Sequence, residues 1–276
     1  MEKTLNSLLR EHRVVLKKAY GQNFLTDKSL LEEIVEKAGV DKTETVLEIG
    51  CGAGALTSAL AEHAGKVVGY EIDSTLKPVL EDVLAGKDNV RIAYKDIMKE
   101  SVAETEQKIG GSYMLIANLP YYITTPVVMK FVEQSEHMKA MVIMVQEEVA
   151  RRFAASSGTP DYGAVTVGIN LRGSAEILMR VPREKFTPVP NVDSAVVKIV
   201  MQKDKYAGAD FEKVRSVVRA GFSSRRKMLV NNIMNFYKLP RSAAENALAS
   251  AGIDIICRGE KLSAEDYVRL SEVLDK

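Results

Sequence analysis

The 276-residue chain has no tryptophan and only two cysteines, Cys51 and Cys257. Two cysteines are too few for a disulfide framework or a thiolate zinc centre. His12, His63 and His137 are widely separated, so no metal-ligand spacing is visible and no metal is expected. Long apolar runs are also missing, and none approaches the roughly 20 residues of a membrane-spanning helix. The first residues carry Glu2, Lys3 and Arg10 around no apolar core, so no secretory signal is expected. These absences predict a cytoplasmic protein with no membrane contact.

An excess of one charge is missing as well, with 38 basic and 37 acidic side chains. The balance hides a segregation. Segment 41–110 holds 13 acidic and 8 basic residues, whereas 211–241 holds eight basic residues against Glu212 alone. A second basic group, Arg10, His12, Arg13, Lys17 and Lys18, precedes residue 20. Any single lysine or arginine usually serves a solvated helix face. Eight against one in so short a segment points instead to a polyanionic partner, because neutralised phosphates release counterions.

From residue 28 to about 200, strand-like and helical patterns alternate. Strands are predicted over Thr45–Ile49, Lys66–Ile72, Val90–Tyr94, Met114–Ala117, Met141–Gln146, Ala175–Val181 and Ser194–Met201. Helical periods occupy Ser29–Ala38, Ala55–His63 and Pro126–Gln134. Short apolar strands separated by helices predict a parallel, doubly wound α/β sheet. Pro182, Pro188 and Pro190 mark a loop before the last strand. Helices alone follow, about Phe211–Ala220, Ser224–Tyr237, Arg241–Ala251 and Ser263–Lys276. The domains are therefore read as 1–203 and 204–276.

Thr45-Val-Leu-Glu-Ile-Gly-Cys-Gly-Ala-Gly54 is a strand running into a glycine-rich turn, with a helix after it. Gly50, Gly52 and Gly54 permit a tight turn and close approach of a ligand. Glu71 ends the next strand, where a carboxylate can accept both ribose hydroxyls. Asp96 ends the third, where it can accept from an adenine amino group. Each acid alone reads more simply as a solvated strand end. A dinucleotide fingerprint would place glycine at residue 55, and Ala55 stands there.

The fourth strand runs directly into Asn118-Leu-Pro-Tyr-Tyr122. The Asn118 amide oxygen, the Leu119 carbonyl and the Tyr121 ring can together bind a flat heteroaromatic amine. By itself the segment also reads as a proline turn with a core tyrosine. Glycine turn, ribose acid, adenine acid and Asn-x-Pro-aromatic fall one per strand, in order. This succession resembles the class I S-adenosylmethionine-dependent methyltransferases that act on exocyclic amines.

Further segments narrow the resemblance: Gly21-Gln-Asn-Phe-Leu25, Phe186-Thr-Pro-Val-Pro-Asn-Val-Asp-Ser194, Phe222-Ser-Ser-Arg-Arg-Lys-Met-Leu229 and Arg258-Gly-Glu-Lys-Leu-Ser263. Over roughly residues 10 to 275 the chain resembles the KsgA (RsmA) family of ribosomal RNA adenine dimethyltransferases. The resemblance implies a Rossmann-like domain with a seven-stranded, mostly parallel sheet and a small all-α C-terminal domain that binds RNA. It implies dimethylation of two adjacent adenosines near the 3′ end of small-subunit rRNA, within a pre-ribosomal small subunit, by a monomer. Carried over by position, cofactor contacts fall on Asn23, Leu25, Gly50, Gly52, Glu71, Asp96 and Asn118, with Glu48 at the methionine end. Tyr121 would stack on one face of the adenine and Phe186 would cover the other. Arg225, Arg226 and Lys227 would contact rRNA phosphates.

Departures from the family pattern are modest. Cys51 replaces a frequent proline and Asn191 a frequent lysine, while Ser224 and Met228 replace glutamine and threonine. An Erm-type enzyme acting on large-subunit rRNA shares the cofactor motifs. Val192-Asp193-Ser194 and the Arg-Gly-Glu-Lys-Leu-Ser segment favour the small-subunit enzyme. An assembly factor acting mainly by binding is the remaining alternative, against which the intact cofactor residues stand.

Overall fold

Strands buried on both faces need near-continuous apolar runs, and the chain supplies them: Val46, Leu47 and Ile49 are all buried, as are Met114 through Ala117. The structure is a computed structural model that describes residues 5–12, 14, 24, 25 and 27–274. Its first part runs α1 (Leu5–Glu11), β1 (Phe24–Leu25), α2 (Lys28–Ala38), β2 (Thr45–Ile49), α3 (Ala55–His63), β3 (Lys66–Glu71), α4 (Lys77–Val83) and β4 (Val90–Tyr94). It continues through α5 (Val102–Ile109), β5 (Tyr113–Asn118), α6 (Tyr121–Gln134), β6 (Met138–Gln146), α7 (Glu147–Phe153), α8 (Ala164–Asn170) and β7 (Gly173–Val181). Then come β8 (Phe186–Thr187), β9 (Ser194–Met201), α9 (Phe211–Gly221), α10 (Leu229–Tyr237), α11 (Arg241–Ser250) and α12 (Ala264–Val273).

Seven strands form one sheet in the order β4-β3-β2-β5-β6-β9-β7. The pairs from β4 to β6 are parallel, and β9 runs antiparallel to β6 from Ala140↔Val200 to Gln146↔Ser194. This is the class I methyltransferase arrangement. Strand order reverses between β2 and β5, the switch point where such sheets open a ligand crevice at their carboxyl ends. Val46, Val67, Ile116, Val142 and Val196 pack with Leu31, Val35 and Leu60 in one core. Capping sets the helix limits: Asp27 accepts from Leu30 N at α2, and Gly39 ends that helix at φ 80°. Two short strands, β1 and β8, pair antiparallel and set Leu25 opposite Phe186.

Two compact units emerge, Met1–Ala150 with Glu176–Met201, and Arg151–Ala175 with Gln202–Lys276. The second break lies close to the boundary read from the sequence. The first differs, because 151–175 leaves the sheet unit for the helical one. The cause is packing: Tyr162, Val167 and Leu171 share a core with Val214, Val217, Leu229 and Tyr267, and Tyr162 Oη donates to Leu262 O at 2.8 Å. Within this unit α9 buries Val214, Val217 and Val218 on one stripe, and Asp210 caps it by accepting from Glu212 N and Lys213 N.

The helix expected from Ser224 starts only at Leu229. Residues 224–228 form a turn instead, held where Asn232 Nδ2 donates to Gly221 O and Ser224 O at 2.9 and 3.0 Å. Likewise α6 begins at Tyr121, five residues ahead of the expected Pro126, which lies inside the helix. Among the described residues, no helix is long and apolar enough to cross a membrane, and no cluster of metal-ligating side chains occurs.

Candidate active site at the strand carboxyl ends

Strands β2, β3, β4 and β5 end around one cavity of about 280 Å³, all of it within the sheet unit. That is close to the lower end of small-molecule sites, roughly 300–1,000 Å³. Its floor is the turn after β2. Gly50, Gly52 and Gly54 have φ of 79°, 55° and 86°, the left-handed region that glycine enters without steric cost. A side chain at Gly52 would bring its Cβ to 3.1 Å from Phe24, so the turn also needs glycine for closeness.

Glu71, at the end of β3, is buried and accepts from Gly52 N at 2.8 Å and Asp73 N at 2.7 Å. Burial raises its pKa, and the two backbone amides oppose that rise. Asp96 follows β4 and accepts from Met98 N through one oxygen at 2.9 Å. Ile72 and Ile97, each directly after one of these acids, line the same cavity. Sequence reasoning passed over both, although an apolar residue following a strand-ending acid is a usable signal for an adenine wall.

Glu48 is the unusual member. It is 1% exposed and lines the cavity; the Thr57 hydroxyl and Cys51 thiol beside it favour its charged form, yet neither carboxylate oxygen meets a donor in hydrogen-bonding geometry among the described residues. Burial pushes its pKa from an ordinary 4.5 up to about 7. A buried carboxylate that faces a cavity with no described cation beside it suits a cationic guest. The ammonium of a methionine moiety meets that need, and the glycine turn, Glu71 and Asp96 suit the rest of S-adenosylmethionine. Leu25 lines the cavity too, while Asn23 lies outside the described residues. Cys51 is buried beneath the turn with its thiol pKa pushed upward by burial, as befits a packing residue.

The other half of the cavity belongs to β5 and α6. Asn118 is the last residue of β5, paired with Met144, and its carbonyl lies 3.7 Å from where a Cβ on Gly50 would stand. No described residue hydrogen-bonds its side chain. In the turn that follows, Pro120 O accepts from Ile123 N and from Thr124 Oγ1 at 3.1 and 3.2 Å. That leaves the Leu119 carbonyl unused among the described residues. Tyr121 and Phe186 both line the cavity, and Phe186 is held by the β1–β8 pairing. Two unused acceptors and two rings thus converge next to the glycine turn.

The family model for ribosomal RNA adenine dimethylase matches residues 14–276. The chain belongs to that family. It is 42% identical over 275 residues to the ribosomal RNA small subunit methyltransferase A of Geobacillus thermodenitrificans, covering 97% of this chain and 94% of the relative. The same-named protein of Enterococcus faecalis is 42% identical over 276 residues, covering 98% and 94%. A dimethyladenosine transferase from Plasmodium falciparum superposes with a TM-score of 0.77 at 25% identity, over 90% of this chain and 95% of that one. The 23S rRNA methyltransferase ErmE gives 0.70 at 29% identity, over 92% and 100%.

In this dimethylase-family chain the basic triplet of the helical unit is exposed, but its members differ. Arg225 Nη2 donates to Pro160 O at 2.8 Å and Tyr162 O at 3.1 Å, so part of its guanidinium fastens the 160–162 turn. The side chains of Arg226 and Lys227 have no hydrogen bond or ion pair among the described residues. Nearby, Arg215 pairs with Glu212 and Arg241 with Glu245.

Proposed function

We propose that this chain transfers methyl groups from S-adenosylmethionine to N6 of two adjacent adenosines near the 3′ end of small-subunit rRNA, giving N6,N6-dimethyladenosines. The observation that carries the reading is the pair of unused acceptors, Asn118 side chain and Leu119 carbonyl, on residues that line one cavity with Tyr121, Phe186 and the Gly50 turn. The 42% identity to proteins named small subunit methyltransferase A favours the small subunit as target.

When bound, S-adenosylmethionine supplies an electrophilic methyl group on a sulfonium. Glu48 would hold its ammonium, Glu71 its ribose and Asp96 its adenine, with Leu25 in the cavity wall beside it; Asn23 would add a contact, as the family resemblance implies. Adenine N6 is a weak nucleophile because its lone pair is delocalised into the ring. Asn118 and Leu119 accept from the N6 hydrogens and favour a more tetrahedral nitrogen. Tyr121 and Phe186 stack on the base, each such contact contributing roughly 1–3 kcal/mol. That offsets part of the cost of unstacking the adenine, about a few kcal/mol. Positioning within roughly 3–3.5 Å of the methyl carbon does most of the remaining work. The cationic product sheds its proton readily, so a neutral Asn118 suffices.

Arg226 and Lys227, with the remaining N–H groups of Arg225, contact rRNA phosphates. A pre-ribosomal small subunit is the substrate, the reaction is cytoplasmic, and the enzyme acts as a monomer. The test supplies labelled S-adenosylmethionine with unmethylated small subunits and, separately, with protein-free large-subunit rRNA. Label in the small-subunit rRNA is expected. Dimethyladenosine in the large-subunit rRNA alone would transfer the assignment to an Erm-type activity.

A further inference from the structure

The Val192-Asp193-Ser194 segment enters β9 beside the end of β6, where Ser194 pairs with Gln146. Ser194 is fully buried at 0% exposure. Its hydroxyl lies 3.0 Å from the Tyr121 hydroxyl, the one partner its side chain has among the described residues. Tyr121 is the first residue of α6 and lines the cavity with Phe186. The next residue, Tyr122, is 62% exposed and has no such bond among the described residues. Of two consecutive tyrosines at one helix start, only the one at the acceptor pair is tied at its far end. Asp193 meanwhile accepts from Arg183 N at 3.0 Å, at the start of the turn that leads into Phe186.

We propose that Ser194 is a positioning residue for the target base: its buried hydroxyl holds the far end of the Tyr121 side chain, and so the place of that ring in the slot it forms with Phe186. The inference rests on the reading of that slot as the adenine site. A tyrosine anchored only at Cβ can swing about its first side-chain torsion, and a hydrogen bond at the hydroxyl, the far end of that lever, removes most of the swing. The second methyl transfer needs that restraint more than the first. Adenine offers two N–H groups to the Asn118 and Leu119 acceptors, whereas N6-methyladenosine offers one. With one hydrogen bond fewer, stacking must hold more of the orientation, and a slack ring loses it.

Ser194→Ala and Tyr121→Phe each remove one end of the tether while keeping the ring. Each is expected to lower kcat by about tenfold, the effect of one net hydrogen bond on orientation, with cofactor affinity retained. N6-methyladenosine should accumulate relative to the dimethylated product. The double variant should be no slower than Tyr121→Phe alone, because the two changes break one interaction. A purely structural role for Ser194 would lower the melting temperature without shifting the product ratio. Effects that multiply in the double variant, or a Ser194→Ala enzyme with wild-type rate and product ratio, would overturn the proposal. Labelled-tyrosine NMR reads the tether without turnover: the Tyr121 Cζ–Oη axis should be more mobile in Ser194→Ala, and an unchanged order parameter for that axis also overturns the proposal. Failure of the wild type to methylate adenosine would instead reject the reading of the site.

Discussion

Replacing Glu48 with glutamine keeps the shape of the side chain and removes its charge. In the folded, ligand-free protein burial raises this carboxyl from 4.5 to about 7, with the neighbouring Glu71 charge adding a lesser push in the same direction. A folded-state pKa above the unfolded one means stability is lost as pH rises. Below about pH 4.5 both states hold the proton and the buried carboxyl costs nothing as a charge. Between 4.5 and 7 the unfolded chain gives up the proton first, so stability falls; above 7 the penalty is constant. Its size is on the order of 3 kcal/mol. Glutamine carries no such penalty, although its buried amide still lacks partners at every pH. The stability of Glu48→Gln relative to wild type should therefore move in the variant's favour by about 3 kcal/mol between pH 4.5 and pH 8. Denaturation of the ligand-free proteins across that range measures it.

Cofactor affinity should move the other way. A charge-assisted bond to the ammonium is worth about 1.5–3 kcal/mol, so the variant should bind S-adenosylmethionine roughly 10–150-fold more weakly. At pH 6 wild-type Glu48 is mostly protonated, and pairing with the ammonium should expel close to one proton, about 0.9 by its pKa. Calorimetry in two buffers of different ionisation enthalpy counts that proton. Equal affinity in the two proteins, or equal proton release, would refute the assignment of Glu48 to the methionine end.

Asn118→Ala should reduce methyl transfer by at least about a hundredfold, in the range seen for lost transition-state hydrogen bonds, while RNA binding persists in a filter or mobility assay. Gly52→Ala forces a non-glycine residue to φ 55° against Phe24 and should cost about 1–2 kcal/mol in thermal denaturation. It should also weaken cofactor binding, because the amide that Glu71 accepts would shift. Arg226→Ala and Lys227→Ala should each flatten the salt dependence of RNA affinity by about one phosphate contact and leave the melting temperature unchanged. Arg225→Ala should lower the melting temperature as well, since it frees the Pro160 and Tyr162 carbonyls.

Strands with strong local signals were legible in the sequence. Thr45–Ile49, Val90–Tyr94 and Ser194–Met201 match their predicted limits because turn residues flank each at one end: Gly50 after the first, Gly86 and Asn89 before the second, and Pro188, Pro190 and Asn191 before the third. The glycine turn and the acids at 71 and 96 were legible for the same reason, each sitting at a strand end. What escaped depends on partners distant in sequence. Segment 151–175 joins the helical unit through contacts such as Tyr162 to Leu262, 100 residues away. The start of α6 was misplaced because proline favours a first helical position, and Pro126 drew the expected start there. In fact Pro120 precedes the helix, and the ring of Pro126 is accommodated within it. Strands of two residues, β1 and β8, are too short to show a period. The isolation of Glu48 and the Ser194–Tyr121 bond, 73 residues apart, exist only once the sheet has formed.

Nucleoside mass spectrometry of unmethylated small subunits, after incubation with S-adenosylmethionine and either wild type or Asn118→Ala, decides whether the Asn118–Tyr121 corner serves methylation of adenine N6 on small-subunit rRNA. Wild type should yield N6,N6-dimethyladenosine at two adjacent positions near the 3′ end, and the variant should form it at least about a hundredfold more slowly. Dimethyladenosine formed equally by both proteins, or by neither, would contradict that role.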